Sequence, residues 1–259
     1  MNESQPNLDR YARQTRYQPI GEAGQRELAR GRVLVCGCGA LGSVLANTLV
    51  RAGVGMVRVV DRDFLEINNL QRQVLYDEQD VASGLPKAIA AQAKLRQINS
   101  AVTIEAVVAD VTADNIAQLA DDVDVIVDGT DNFETRFLIN DYSLQSGTPW
   151  VYGGCIGAEG QTMTILPAES ACLHCLMEQG PPPPGTTPTC DSAGILGPII
   201  NVIASIQASE AIKILSGNRQ AVSRTLQVIE LWDNRLRQIN LDSLRAAANC
   251  PVCDQQQYR

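Results

Sequence analysis

The chain has 259 residues, of which 45% are hydrophobic and 19% charged; that is globular composition with enough apolar side chains for a sizeable core. A net charge of −8 and a pI near 4.7 argue against a nucleic-acid surface, which needs clustered positive charge. The longest apolar candidate, 195–215, is broken by Asn201, Gln207, Glu210 and Lys213, and the opening MNESQPNLDR is polar, so neither a membrane span nor a secretory signal is expected and a cytoplasmic location is.

Residues 8–18 and 21–30 read as two short helices. The first carries Arg10, Arg13 and Arg16 at three-residue spacing, which puts the guanidinium groups roughly on one face; a solvated helical face is the ordinary explanation of such a run. The stretch that organises the chain follows at 32–63, RVLVCGCGALGSVLANTLVRAGVGMVRVVDRD. An apolar strand at 33–36 ends in Gly37. Gly39 and Gly42 complete the pattern G-x-G-x-x-G, and Ala40 opens a helix over 40–52. A second strand at 56–61 ends in Asp61, with Asp63 two positions on. This is a nucleotide cradle: glycines let the backbone turn tightly and approach a phosphate, the helix N-terminus offers unpaired N–H groups, and the acid at the second strand's tip reaches ribose hydroxyls. A dinucleotide and ATP can use the same cradle.

The segment EINNLQRQ at 66–73 crowds Asn68, Asn69, Gln71, Arg72 and Gln73 together without an apolar stripe. It lies just past the second strand, at the rim where open α/β sheets bind ligands, although a plain surface loop would look the same. A helix over 86–99 starts with Pro86, tolerated in a first turn, and Lys87, whose charge opposes the helix dipole there; an anionic ligand would resolve that conflict, although a merely solvated lysine would read the same. Residues 102–108 read as a strand, 112–120 as a helix and 123–128 as a strand ending in GTDN, with Asp131 and Asn132 at its tip. A helix over 133–147 and a strand at 150–153 follow. Strand and helix alternate this far, which predicts a parallel sheet with right-handed crossovers.

The pattern then changes. Residues 160–167 alternate as a half-exposed strand. A helix-poor segment holds CLHC at 172–175 and GPPPPGTTPTC at 180–190, where four consecutive prolines forbid a helix or central strand. Residues 199–215 form a helix apolar around most of its girth, hence buried, and 225–232 and 235–241 are two strands joined at Asp233 and Asn234. The two halves are expected to share one sheet.

Eight cysteines are present. Cys172, Cys175, Cys250 and Cys253 form two C-x-x-C pairs, the donor set of a closed tetrahedral Zn²⁺ site that is structural, not catalytic. The long separation is no obstacle, since loop-closure entropy grows slowly with length, and the metal would clip the tail to the middle of the chain. Redox pairs or free thiols are the alternative. His174, the single histidine, lies inside the first pair and is not needed as a ligand. Cys36, Cys38 and Cys155 read as core residues; Cys190, after the prolines, is the one thiol in a polar setting where a nucleophile could act, an idle thiol being the alternative.

GCGALG at 37–42, DRD at 61–63, NNLQRQ at 68–73, PK at 86–87, GTDNFETR at 129–136, RYARQ at 10–14 and the two C-x-x-C pairs together resemble the MoeB/ThiF (HesA/MoeB/ThiF) adenylyltransferases, bacterial relatives of the ubiquitin-activating enzymes, over nearly the whole chain. The resemblance implies a Rossmann-like, mixed but largely parallel sheet flanked by helices, with antiparallel C-terminal strands. It implies one adenylation domain over 1–259: N-terminal helices at 1–30, a nucleotide-binding half at 31–154 and a carrier-binding half at 155–259 with the zinc site and crossover loop. The implied enzyme uses ATP and Mg²⁺ to adenylate the C-terminal glycine carboxylate of a ubiquitin-like sulfur-carrier protein ending in Gly-Gly, releasing pyrophosphate. In this resemblance Asp61 holds the ribose, Asn69 and Arg72 the phosphates, Lys87 the phosphates and developing charge, and Asp131 the Mg²⁺. Arg13 reaches the site of the twin subunit of a homodimer. Cys190 matches a cysteine that takes up the activated carrier in part of the family. No sulfurtransferase domain follows residue 253, so a separate sulfur donor is expected.

The chemistry agrees: carboxylate and phosphate are both anions, so the task is to screen their repulsion, and an ionised nucleophile needs no general base. The chain departs from the family at Ala40, where some members carry glycine, at Asn68, where serine often stands, in a somewhat longer loop before Lys87, and in the proline-rich crossing. A NAD-dependent oxidoreductase and a catalytically inactive carrier-binding relative are the alternatives. Nothing in the sequence marks which carrier, of the thiamin or molybdopterin kind or another, is served.

Overall fold

The computed structural model describes residues 8–177, 180–183, 186, 190–247 and 249–258, with residues 190 and 191 by backbone only. A 3-10 turn, Leu8–Tyr11, leads into α1 (Ala12–Thr15) and α2 (Gly21–Leu28). Then come β1 (Arg32–Cys36), α3 (Ala40–Ala52), β2 (Met56–Val60), a 3-10 turn Ile67–Asn69, α4 (Glu78–Ser83), α5 (Lys87–Ile98), β3 (Thr103–Val107), α6 (Ile116–Ala120), β4 (Val125–Asp128), α7 (Phe133–Ser146), β5 (Trp150–Ile156) and β6 (Glu159–Ile165). The chain continues through α8 (Leu173–Leu176), α9 (Cys190–Ala193), α10 (Gly197–Leu215), β7 (Thr225–Glu230), β8 (Arg235–Asn240) and α11 (Leu241–Ala247).

The strands form one eight-stranded sheet in the order β3-β2-β1-β4-β5-β6-β7-β8. β3, β2, β1, β4 and β5 are parallel, and β6, β7 and β8 continue antiparallel from β5. Both halves therefore share the sheet, as expected. The chain moves outward from β1 to β3 and returns to β4, so strand order reverses between β1 and β4. The crevice beyond the C-terminal ends of those two strands is where such sheets take ligands.

Side chains of β1 alternate between two cores: Val33 and Val35 pack toward α3, α5 and α10, while Leu34 and Cys36 pack toward α6, α7 and the cysteine-rich segment. Burial on both faces is why the parallel strands read as unbroken apolar runs. α10 is long and apolar enough by length and composition to cross a membrane, yet Ile199, Ile203, Ala204, Gln207, Ala208 and Ala211 are buried in the core. It keeps a narrow solvent stripe through Pro198, Asn201, Ser205 and Ser209, as a helix apolar around most but not all of its girth would.

Three differences have local causes. The segment before Lys87, expected as a loop, contains α4. Asp77 Oδ1 accepts the N–H groups of Gln79 and Asp80, Asp80 Oδ2 accepts the Asp77 N–H in return, and Gly84 ends the helix at a φ of 65°; these are ordinary start and stop signals. The helix expected from 112 begins at Ile116, because Asn115 first turns the chain by accepting the Thr112 N–H and donating to Asp110 O. In the segment expected to be helix-poor, α8 begins just after Cys172 and contains Cys175, and α11 follows the last strand, where no helix is expected from the sequence.

Candidate active site

Three glycines are stacked at the crevice. Gly37 has a φ of 84°, and a Cβ there would lie 2.7 Å from Gly129 O. A Cβ on Gly42 would lie 1.9 Å from Gly37 O, and one on Gly129 would lie 2.6 Å from the same oxygen. Backbone thus meets backbone where β1 and β4 end, and the turn between Gly37 and α3 is pinned. The Cys38 N–H donates to Asp61 Oδ2 at 2.7 Å, and the Asp63 N–H donates to Asp61 Oδ1 at 2.8 Å. Asp61 therefore stands at the tip of β2 beside the turn. Burial pushes its carboxyl up, while those two N–H groups and the Lys87 charge pull against the rise.

Lys87 opens α5 and is buried. Its ammonium sits 3.2 Å from Asp63 Oδ2 and its N–H donates to Asp63 O at 2.8 Å. Part of the conflict with the helix dipole is thus met by Asp63, whose side chain is exposed. The polar segment forms a compact turn: Asn69 is buried, its Oδ1 accepts the Glu66 N–H and its Nδ2 donates to Asn68 Oδ1. Arg72 Nη1 donates to Asn68 O at 3.1 Å and has no carboxylate partner among the described residues. Two residues tie this turn to the glycines. Gln73 Nε2 lies 3.7 Å from where a Gly39 Cβ would be, and Tyr76 OH donates to Cys38 O at 2.8 Å. The segment 66–73 is therefore a wall of the crevice.

On the other side, Asp131 and Asn132 lie exposed beyond β4. Asn132 caps α7, accepting the Thr135 N–H at 2.8 Å. Beneath them Asp128 is fully buried and pairs with Arg136, Nε to Oδ2 at 3.2 Å. Asp128 Oδ1 also accepts the N–H and hydroxyl of Thr130, and Arg136 donates to Thr130 O and Gly153 O. Burial pushes the Asp128 carboxyl up, against the Arg136 charge and the Thr130 donors. Gln207 from α10 donates to Asp128 O and Val151 O. This network holds the Gly129–Asn132 turn rigid. Sequence reasoning assigned no individual role to Gln73, Tyr76, Asp128, Arg136 or Gln207; a carboxylate closing the strand at 123–128 and an arginine eight residues later were the available signals.

Arg13 is not at its own chain's crevice. Its helix is fastened to the far ends of α3 and α5: Gln14 Nε2 donates to Ala52 O, and Arg10 Nη1 donates to Ile98 O. α3 begins at the glycine turn and runs 13 residues away from it, so Arg13 lies roughly 20 Å from that turn. It is exposed, with no carboxylate partner among the described residues.

Sγ atoms of Cys172, Cys175, Cys250 and Cys253 all lie within 4.8 Å of one another, at 3.8, 3.7 and 3.5 Å for the 172–175, 172–250 and 175–253 pairs. A Zn²⁺ bound to four thiolates at about 2.3 Å requires edges of about 3.8 Å, so the donor set fits that ion. His174 turns away, its Nε2 3.1 Å from Asp141 Oδ1. Cys36 and Cys38 are buried, as expected of core residues. The backbone of Cys190 opens α9, but its side chain lies outside the described residues.

The model of the ThiF family matches residues 11–252. The chain is 45% identical over 244 residues to the sulfur carrier protein ThiS adenylyltransferase of Bacillus subtilis, covering 94% of this chain and 71% of that one. It is 38% identical over 258 residues to the sulfur carrier protein adenylyltransferase of Thermus thermophilus, covering 98% and 93%. It is 39% identical over 246 residues to the SAMP-activating enzyme E1 of Haloferax volcanii, covering 95% and 88%. Among solved structures, E. coli MccB with ATP superposes with a TM-score of 0.78 at 22% identity, over 96% of this chain and 75% of that one, a likeness of fold.

Proposed function

The chain belongs to the ThiF family, and on that premise we propose that it is an ATP-dependent adenylyltransferase that activates the C-terminal glycine carboxylate of a ubiquitin-like sulfur-carrier protein ending in Gly-Gly. The observation that carries this reading is the glycine stack where β1 and β4 end, with Asp61 bonded to the Cys38 N–H of the turn, Lys87 buried at the head of α5 beside Asp63, and Asp131 two residues after Gly129. Its relatives of known sequence act on sulfur carriers. A NAD-dependent oxidoreductase, which the glycine motif alone left open, does not fit that membership.

ATP lies against the glycine turn, with its ribose at Asp61 and its phosphates facing the free N–H groups that open α3. Asn69, Arg72 and Lys87 line the phosphate path. Asp131, exposed and within the field of the Arg136 guanidinium, would hold Mg²⁺ together with Asn132, and that ion would supply charge screening at the phosphates. The carrier's carboxylate attacks the α-phosphorus in line and pyrophosphate departs. Catalysis is then positioning plus electrostatic stabilisation, and Arg72 and Lys87 supply the positive charge. Arg13, exposed and distant from its own crevice, serves the crevice of a second copy in a homodimer. A sulfur nucleophile then attacks the acyl carbon and AMP leaves; that sulfur belongs to a separate sulfur donor or, forming a thioester first, to Cys190.

The test is ATP–pyrophosphate exchange, with and without carriers of the thiamin and molybdopterin kinds that end in Gly-Gly. Exchange stimulated by one of them is the expected result. Exchange stimulated by none would remove the proposal.

A further inference from the structure

The helix that carries Asp131 and Asn132 at its head is fastened to the cysteine cluster at its middle. Leu173 and His174 are the two residues between Cys172 and Cys175. The Leu173 N–H donates to Asn140 Oδ1 at 2.8 Å. His174 Nε2 lies 3.1 Å from Asp141 Oδ1, and an ionised carboxylate only accepts, so the ring presents its N–H there. Asn140 Nδ2 donates to the same Asp141 oxygen at 3.0 Å, and the Phe137 ring meets His174 edge-on at 4.6 Å. Phe137, Asn140 and Asp141 stand at i, i+3 and i+4, one face of α7, and all three are buried.

The knuckle between the first two cysteines therefore cannot shift without α7. Leaving the buried Leu173 N–H or Asn140 Oδ1 without its partner is costly, so the two move together or the contact breaks. At the other end, Asn132 caps α7 and Arg136 locks its first turn to Asp128. The head and the middle are about 12 Å apart along one continuous helix.

We infer that Asn140 and Asp141 are positioning residues: through α7 they couple occupancy of the four-cysteine site to the placement of Asp131 and Asn132, so that zinc and nucleotide each tighten the binding of the other. The inference rests on the proposed nucleotide site, and it gives the cysteine cluster a task beyond clipping the tail. Coupling of this kind is reciprocal: the factor by which nucleotide raises zinc affinity equals the factor by which zinc raises nucleotide affinity.

Zinc affinity is measured by chelator competition with and without saturating ATP and Mg²⁺, and ATP affinity by calorimetry on zinc-loaded and zinc-stripped protein. The proteins are wild type, Asn140→Ala, Asp141→Ala and Asp141→Asn, the last of which keeps a carbonyl acceptor for the His174 N–H. In wild type both experiments return the same factor, about fivefold or more. The factor falls to near one in the alanine variants and is retained in Asp141→Asn. A factor of one in wild type overturns the inference, as does an alanine variant that folds and keeps the full factor. Should the alanine variants not fold, the wild-type factor decides alone. Wild type that binds no nucleotide removes the adenylyltransferase reading and this one with it, whereas nucleotide binding without coupling removes only this one.

Discussion

Gly42 and Asp131 represent two kinds of residue at the crevice, one fixed by sterics and one by charge. A methyl group on Gly42 would sit 1.9 Å from Gly37 O, and neither backbone segment can withdraw without undoing the β1–β4 junction. Gly42→Ala is expected to cost about 3 kcal/mol or more in urea unfolding, the upper range of overpacking, and to abolish nucleotide binding measured by calorimetry on any protein that folds. Asp131 bears little structural load: it is exposed, its hydrogen bond from Asn132 Nδ2 is a long one at 3.4 Å, and Asn132, not Asp131, caps α7. Asp131→Ala should therefore leave the unfolding midpoint unchanged while lowering carrier-dependent pyrophosphate exchange by about 100-fold or more, the scale of losing a charge-stabilising group. An equal loss of stability would show the residue to be a scaffold. The motif GTDNFETR was visible in the sequence, but the division of labour within it was not. Asp128 and Arg136 hold the turn, and only burial identifies which charges are inside.

At the scale of elements, two features of the sheet's surroundings are open to measurement. The tail is held by the cysteine cluster and by the Arg245 guanidinium on Ser170 O at 2.7 Å. Cys253→Ser is expected to lower bound zinc below one ion per chain by metal analysis. It should also lower unfolding stability by more than about 2 kcal/mol, since metal loss is among the mechanisms behind large destabilisations. A zinc-free variant of unchanged stability would contradict a structural role. At the N-terminal edge of the sheet, Asp122 pairs with Arg32 of β1 and with Arg58 of β2, at 2.6 Å in the second case, and these partners hold its carboxyl below the usual range. A carboxyl depressed in the folded state contributes stability above its unfolded pKa of 3.8 and loses it as pH falls through the lower folded value. Asp122→Asn should therefore be destabilised by a few tenths to about 1 kcal/mol at pH 7, because the pair is partly exposed and screened. The gap from wild type should close below pH 3.8 in a pH series of unfolding curves.

The whole molecule poses a question of distance. Arg13 is fastened to the end of α3 remote from the glycine turn, and a rigid α3 keeps it there. A catalytic role for Arg13 therefore demands a second copy. In mixed dimers of Arg13→Ala and Asp131→Ala chains, one of the two sites in each heterodimer recovers both residues, so random mixing should restore about a quarter of wild-type exchange activity in a closed two-fold dimer. Mixtures no more active than their components would place Arg13 outside the reaction.

Much of this architecture was legible in the order of residues. Helix α3 matches its expected span, and the strands before it and after it, the glycine motif, Lys87 at a helix start and the paired cysteines depend on local periodicity and on residue chemistry that a linear reading captures. Local signals were also present for α4, in Asp77 and Gly84, and were outweighed by the polar character of the segment. What the linear reading could not supply was adjacency between distant parts of the chain. The contact of Gly37 with Gly129 follows from β1 and β4 being neighbours in the sheet, while the burial of the Asp128–Arg136 pair, the grip of Asn140 and Asp141 on the cysteine knuckle and the remoteness of Arg13 from its own crevice follow from how the helices pack on that sheet. Composition and motif decided which chemistry the chain can host. Only packing, which sets the dielectric and the distances between residues far apart in sequence, decided which charges meet and which are held apart.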